Sequence, residues 1–592
     1  MHSTTAGLVV AAAALAVAAP VHNATTSYDF IVVGGGTSGL IVANRLSDDP
    51  SVSVAVVEAG ASVLDNENVT DVAGYSKAFD TPIDWAYTST PQLSAGNETK
   101  VLRAGKALGG TSTINGMTYM RAERSQLDAW AAVGNNVTWD TLLPYYKKGE
   151  HFQVPNEEQV KNGAQFDTAA HGFVGPQAVG WPAQMVGQGF AGTLNSTFQS
   201  QGLNWNGEPN AGSMRGYNIF PKMVNTSANV RADAARSFYY SFSSRPNLHI
   251  YLDSFVDRLT WQETTNSSLP FANGVVLKGS SGKAQRLSAK KEVIISAGSL
   301  RSPLILEQSG VGNPTILKKH GIKVQVNNPN VGENLQDQTT VDTQYTATQN
   351  FTGSGGFIGY YNARDIFGND TDRISAEVKA SLPAYARQVT AASNGTVALS
   401  TLETLFDIQH KLIFDDLAVI SEVIVNAPAA GSSTIEYWGL LPFSRGNIHI
   451  SSPNASAPAL INPNFFQFGC DIKQLIGTAR AARDVANTSP FSELITDEVL
   501  PGYRTVPRGA SDQVWGNWVK STFRSNFHYI STAAMMPREM GGVVDSDHLV
   551  YGTANVRVVD ASVMPFQVSG HLVSTLYALA ERASDRIKAR YA

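Results

Sequence analysis

The stretch Tyr28-Asp29-Phe30-Ile31-Val32-Val33-Gly34-Gly35-Gly36-Thr37-Ser38-Gly39 decides the fold. Aromatic and β-branched residues from Tyr28 to Val33 predict a short strand, and the glycines end it. Leu40, Ala43 and Leu46 then recur at helical spacing, and Asp48-Asp49-Pro50 marks a turn. Val52 to Val57 predicts a second strand, apolar almost throughout, as a parallel strand covered on both faces must be. The whole is one βαβ unit whose connecting loop satisfies G-x-G-x-x-G. Gly34 permits the tight turn, and Gly36 lets bare backbone approach a pyrophosphate. Thr37 and Ser38 lead into the helix N-terminus that holds that group, and Gly39 allows close helix–strand packing. Glu58 ends the second strand about 20 residues on, where a carboxylate accepts ribose hydroxyls. A carboxylate there argues against a 2′-phosphate, hence against NADP.

Outward from this unit, 592 residues suggest two or three domains. With 43% hydrophobic and 16% charged residues the composition is that of a globular protein, and the net charge of -5 offers no basic face for nucleic acid or an anionic membrane. After Met1-His2-Ser3, the apolar run from Ala6 to Ala19, with Ala16-Val17-Ala18 as a small-residue cleavage site, predicts a removed export signal over residues 1–19. The run is shorter than the roughly 20 residues a membrane span requires, and no later stretch predicts one. N-x-Ser/Thr triplets begin at Asn23, Asn68, Asn97, Asn136, Asn195, Asn225, Asn266, Asn350, Asn369, Asn394, Asn454 and Asn487, which fits a secreted, N-glycosylated eukaryotic protein. Cys470, the only cysteine, permits no intrachain disulfide, so core burial must stabilise the fold. No metal site is assigned.

The middle of the chain is less regular. Gly, Asn, Pro and Ser between Gly163 and Asn218 predict long loops, Lys290 to Ser296 a buried strand and Leu300 to Gln308 a helix. Val341 to Ala430 is mixed, with a helix around Leu402 to Leu412, and Gly446 to Ser451 alternates as an antiparallel strand does. Val556-Val558-Val559 and then Leu572 to Ile587 return to strand and helix. The two ends of the chain thus read as parts of one nucleotide-binding domain with a substrate domain inserted.

Val57-Glu58-Ala59-Gly60 followed by Arg103-Ala104-Gly105-Lys106-Ala107-Leu108-Gly109-Gly110-Thr111-Ser112-Thr113-Ile114-Asn115-Gly116-Met117 resembles the first signature of the glucose–methanol–choline oxidoreductases. Ala297-Gly298-Ser299-Leu300-Arg301-Ser302-Pro303, running on to Gly312, resembles the second. Asn334-Leu335-Gln336-Asp337 and Arg557-Val558-Val559-Asp560-Ala561-Ser562 match further family segments, in the family's order. The resemblance implies an α/β fold, α+β overall: a Rossmann-like FAD-binding domain of glucose-oxidase type (28–150 with 229–335 and 540–592) and an inserted substrate domain on an antiparallel sheet (151–228 with 336–539). It implies FAD as cofactor, with Thr111, Asn115, Gly116 and Met117 along the isoalloxazine, Asp560 and Ala561 at the pyrophosphate and ribityl chain, and Leu572 and Val573 beside them.

By the same resemblance His528 is the base and His571 holds the substrate oxygen. A neutral imidazole, with an ordinary pKa near 6.5, suits removal of a hydroxyl proton as hydride leaves the carbon. Within the family the chain is similar to fungal FAD-dependent glucose dehydrogenases, through Tyr75, Glu436, Arg524 and Asn526. These supply the aromatic face, carboxylate, guanidinium and amide that sugar hydroxyls need. The implied reaction is oxidation of the anomeric hydroxyl of glucose to the lactone, with electrons passed to a quinone-type acceptor, by a monomer or homodimer. Two departures bear on the pocket. Tyr529-Ile530-Ser531-Thr532 stands where the family has Pro-Val-Gly-Thr, and Thr118-Tyr119-Met120-Arg121 and Ser569 also differ. They motivate an alternative, a redox enzyme for an aromatic or polyketide alcohol in a fungal biosynthetic pathway. Two further alternatives are a hydroxynitrile lyase that keeps FAD structurally and a binding protein without catalysis.

Overall fold

The computed structural model describes residues 26–263, 269–279 and 282–592. The export signal and the sequons at Asn23 and Asn266 lie outside the described residues. Strand Thr26–Val33, helix Gly39–Leu46 and strand Val54–Val57 form the expected unit, with the two strands parallel and Val33 opposite Val57. Every residue of the second strand is buried, as its unbroken apolar run requires. The sheet runs Leu248–Tyr251, Val54–Val57, Thr26–Val33, Ala284–Ile295, Ala272–Lys278, Phe255–Trp261. A seventh strand, Val556–Val558, pairs in parallel with Val293–Ile295, so segments from near both ends of the chain meet here. Helix Leu572–Tyr591 packs on Gly39–Leu46, where buried Glu581 receives a fork of hydrogen bonds from Arg45.

A second sheet of seven strands is antiparallel throughout. Its order is Ile495–Leu500, Thr339–Ala347, Ser432–Gly439, Ser421–Val425, Phe357–Tyr361, Gly216–Ile219, with Arg524–Ser525 beside the start of Thr339–Ala347. Side chains alternate between its faces. Val423, Val425, Ile435 and Tyr437 are fully buried on the side of helix Gly469–Asn487, each contributing about 1.5–3 kcal/mol. Ile424, Glu436 and Trp438 turn the other way, into a cavity of about 420 Å³ that they share with the glycine loop of the first sheet.

Two expectations need correction. The segment from Gly163 to Asn218 is not all loop: helix Phe190–Ser200 buries Phe190, Leu194 and Phe198 at four-residue spacing, with Gly192, Asn195 and Ser196 between them diluting the pattern. Between Val341 and Ala430 the helix around Leu402 to Leu412 extends over Leu399–Phe414, and packs on a 22-residue helix, Thr371–Ala392, that was not expected. Its apolar stripe Ile374, Val378, Leu382, Ala386, Val389 is regular, but Pro383 inside it reads as a break. Among the sequons, Asn97, Asn136, Asn225, Asn350, Asn369, Asn394, Asn454 and Asn487 are exposed, whereas Asn195 is half-buried on its helix. Among the described residues no helix is long and apolar enough to cross a membrane.

A methyl group on Gly39 would lie 2.0 Å from the Gly34 carbonyl oxygen. Gly39→Ala is therefore expected to cost about 1–3 kcal/mol of stability through overpacking, read as a lower thermal midpoint with weaker flavin retention.

Candidate active site

One wall of the cavity is the glycine loop. Gly34 has φ +105°, a left-handed conformation that suits glycine, and a Cβ there would meet the Ser296 carbonyl oxygen at 2.4 Å. At Gly36 a Cβ would meet nothing closer than Gly110 Cα at 3.5 Å, and at Gly116 nothing closer than Tyr75 at 3.9 Å, so both present bare backbone. Gly34, Gly36, Thr37 and Ser38 line the cavity; Gly39 does not, and serves the helix packing instead. The amides of Gly36, Thr37 and Ser38 have no partner among the described residues. Glu58 Oε2 accepts from the Gly35 amide (2.9 Å) and Oε1 from the Gly60 amide (2.8 Å), and burial pushes its carboxyl up to about 7.

Opposite lie Thr111, Asn115, Gly116, Met117, Asp560, Ala561, Leu572 and Val573, all lining the same cavity. Three side chains among them are committed internally, Thr111 Oγ1 accepting from the Gly105 amide (3.2 Å). Asp560 accepts from the Gly298 amide and Ser302 Oγ at one oxygen and from Ser562 at the other, so its backbone is what it offers. Asn115 Oδ1 accepts from the Met117 amide (3.0 Å) and from Arg231 Nη1 (2.8 Å). Arg231, unforeseen from sequence, is buried and also donates to the carbonyls of Val69, Ser112 and Asn115, fixing the loop that leads to Met117, itself at φ +63°. Helix Leu572–Tyr591 begins at the cavity without a side-chain cap, so its positive N-terminal end faces in. Two helix N-termini, unpartnered amides and bare glycines suit a dinucleotide carrying a pyrophosphate and a polar ring. Glu58, Gly36, Thr37 and Ser38 would hold its adenosine diphosphate part, and Gly116, Met117, Leu572 and Val573 the ring.

His528 and His571 stand 5.5 Å apart between ring centroids, nearly perpendicular. His528 Nδ1 is 2.7 Å from Gln338 Oε1. Gln338 Nε2 donates to the carbonyls of Leu440 and Val568, which turns Oε1 toward the histidine and makes Nδ1 the protonated nitrogen. Asn526 Nδ2 lies 3.2 Å from the same nitrogen; in this tautomer both are donors, so the shorter contact to Gln338 Oε1 is the hydrogen bond and Asn526 makes none there. Nε2 is left unprotonated, and burial, with His571 adjacent, pulls the pKa of His528 well below 6.5. His571 Nε2 is 2.8 Å from Glu422 Oε1. Burial lowers His571 to about 3 and raises Glu422 well above its usual range, so both favour a neutral pair in which the carboxyl donates and Nδ1 of His571 keeps its proton. Neither Glu422 nor Gln338 was anticipated. The signal for Glu422 was a lone carboxylate in the apolar run Ser421–Val425; Gln338 immediately follows Asp337 of a motif already noted.

Tyr75, Glu436 and Asn526 line the cavity. Arg524 stands behind Glu436, with Nη2 3.4 Å from its Oε1 and 3.7 Å from Asp342 Oδ1. Burial, with Asp342 beside it, pushes Glu436 up to about 7 against the pull of Arg524. Of the two departures after His528, Tyr529 lines the cavity, with its hydroxyl 3.0 Å from Ser525 Oγ. Ser531 does not: it adopts φ +74°, where the family has glycine, and its hydroxyl is tied to the Met564 carbonyl and to Gln336.

Two GMC oxidoreductase family models match, over residues 28–340 and 442–580. A glucose oxidase-like protein of Humicola fuscoatra is 43% identical across 96% of both chains, and a glucose oxidase of Aspergillus carbonarius 32% identical across 97% of this chain and 94% of its own. Among solved structures, an FAD-dependent oxidoreductase of Chaetomium thermophilum superposes with a TM-score of 0.87 at 29% identity, covering 95% of this chain and 99% of that one. A fungal aryl-alcohol oxidase does so with 0.83 at 26% identity, with the same coverage. The chain belongs to the GMC oxidoreductases, and its cofactor is FAD.

Proposed function

We propose that this protein oxidises the anomeric hydroxyl of an aldopyranose such as glucose to the lactone. The tautomer of His528 carries the reading: with Nδ1 committed to Gln338, Nε2 is the base that takes the hydroxyl proton. His571, its Nε2 engaged by Glu422, offers Nδ1–H to the same oxygen. A substrate hydroxyl then meets one acceptor and one donor, the two partners its own proton and lone pair require. Bound FAD supplies the hydride acceptor and hands the electrons on, in this proposal to a quinone-type acceptor. Tyr75, Glu436 and Asn526 would hold the ring hydroxyls, with Arg524 orienting Glu436. The relatives named glucose oxidase support a sugar.

The proposed FAD-binding unit is 28–150 with 229–335 and 540–592, and the substrate unit 151–228 with 336–539. The distribution of the two seven-stranded sheets between these segments supports that division. Export with loss of residues 1–19 and glycosylation of exposed sequons complete the proposal. A second reading, an aromatic alcohol as substrate, is favoured by the Phe220 and Trp438 rings, 6.4 and 5.6 Å from that of His571, and by Tyr529 in the wall.

Anaerobic titration with D-glucose, xylose and an aryl alcohol separates them. Glucose should bleach the visible flavin band; bleaching by the aryl alcohol alone selects the second reading, and no bleaching by any alcohol rejects both. His528→Ala should stay yellow and lose about 10²–10⁴-fold in turnover; full turnover would remove the base role. Because the pKa of His528 is lowered, the base stays unprotonated as the pH falls past 6.5. The rate at saturating substrate should therefore hold through pH 6.5 and fall only in more acidic solution, whereas an acid limb centred at 6.5 would contradict the buried-base assignment.

A further inference from the structure

Lys222 lines the same cavity and no step above uses it. It is 9% exposed, and its Nζ makes one hydrogen bond, 3.2 Å to Ser354 Oγ. Among the described residues no carboxylate lies within 4.0 Å of it. Two of its three donors therefore lack partners, although buried ammonium groups are otherwise paired. Its backbone is not free to swing the group away: the Lys222 amide and carbonyl both pair with Gly180, and Thr118 bridges to the same residue. Burial, with Arg231 the nearest charge, lowers the amine to about 8. The position has a definite relation to the histidines. Phe220, two residues earlier, packs near His571, and Ser354 precedes the strand Phe357–Tyr361, which pairs with the strand carrying Glu422. Across the sheet, the strand leading into Lys222 is three spacings from the one carrying Glu436, roughly 14 Å. The cavity thus has an ammonium at one side and, at the other, the carboxyl of Glu436, paired to a guanidinium that stands behind it.

Resting on the reading of this cavity as the substrate site, we infer that Lys222 holds a carboxylate of the substrate, so that the preferred substrate is an alcohol bearing an acid group. Glu436, on the opposite side, is already paired with Arg524, so the unpaired ammonium is the cavity's better partner for that group, which favours one orientation. An aldopyranose with a carboxylate and a carboxylated aromatic alcohol share this chemistry. The inference is tested on the FAD-loaded protein with non-oxidisable pairs, acetate against acetamide and benzoate against benzamide, by titrating the shift of the visible flavin band. A charged hydrogen bond predicts that one carboxylate or both bind roughly tenfold or more tightly than the matching amide. Lys222→Met should bring the ratio close to one, and Lys222→Arg should restore it. Equal affinities, no shift from either carboxylate, or a ratio unchanged in Lys222→Met would overturn the inference. So would a Lys222→Met protein whose ligand-free flavin spectrum changes while the ratio does not, since the ammonium would then face the cofactor. Selective carboxylate binding by a protein whose flavin no alcohol bleaches would keep Lys222 as a carboxylate site and reject the proposed reaction, and with it the acid-bearing alcohol as substrate. Turnover of glucuronate against glucose, and of a carboxylated against a plain benzyl alcohol, then distinguishes the two substrate sources.

Discussion

Bare backbone against bare backbone is the constraint on which the rest depends. A Cβ at Gly34 would strike Ser296, one at Gly110 would come within 2.7 Å of Gly36 Cα, and the Gly109 amide donates to the Gly35 carbonyl. Three segments far apart in the chain are thereby drawn to within a backbone's thickness of one another. That closeness leaves amides free at Gly36 to Ser38 and forms one wall of the cavity that His528 and His571 also line. Side chains of any size at these positions would separate the walls and, with them, the two halves of the chemistry.

The histidines themselves rest on a different economy. Each spends one nitrogen on a fixed protein partner, Gln338 for His528 and Glu422 for His571, and has the other left for a ligand. Burial keeps both neutral. In the proposed reaction one is the acceptor and the other the donor, not through different chemistry of the ring but through the different hydrogen-bonding capacity of an amide oxygen and a carboxyl.

Much of this was legible in the sequence, and the reasons are specific. The βαβ unit could be read because its strand is uniformly apolar, its glycines sit at fixed offsets and Glu58 follows at the expected distance. The cavity residues around Thr111 and Asp560 could be read because the segments that carry them resemble family motifs. The helix Thr371–Ala392 could not, since Pro383 contradicts an otherwise regular stripe. Glu422, Gln338 and Arg231 could not either, because each acts through a partner distant in sequence: 149 residues separate Glu422 from His571 and 190 separate Gln338 from His528. Arg524 was placed among the sugar-binding residues by resemblance, and stands behind Glu436 rather than in the cavity wall. The serine at 531 showed as a departure, but only its left-handed backbone and anchored hydroxyl explain why it leaves the cavity unchanged.

The strand Val556–Val558 completes the first sheet, and the helix from Leu572 opens at the cavity while its later turns clamp Arg45 near the other end of the chain. During synthesis, therefore, the opening βαβ unit leaves the ribosome long before it has its neighbours. The cavity lacks part of its wall until residues 556–573 have emerged. A chain that stops before His571 lacks that histidine, the helix end that opens at the cavity and the carboxylate that steadies Arg45.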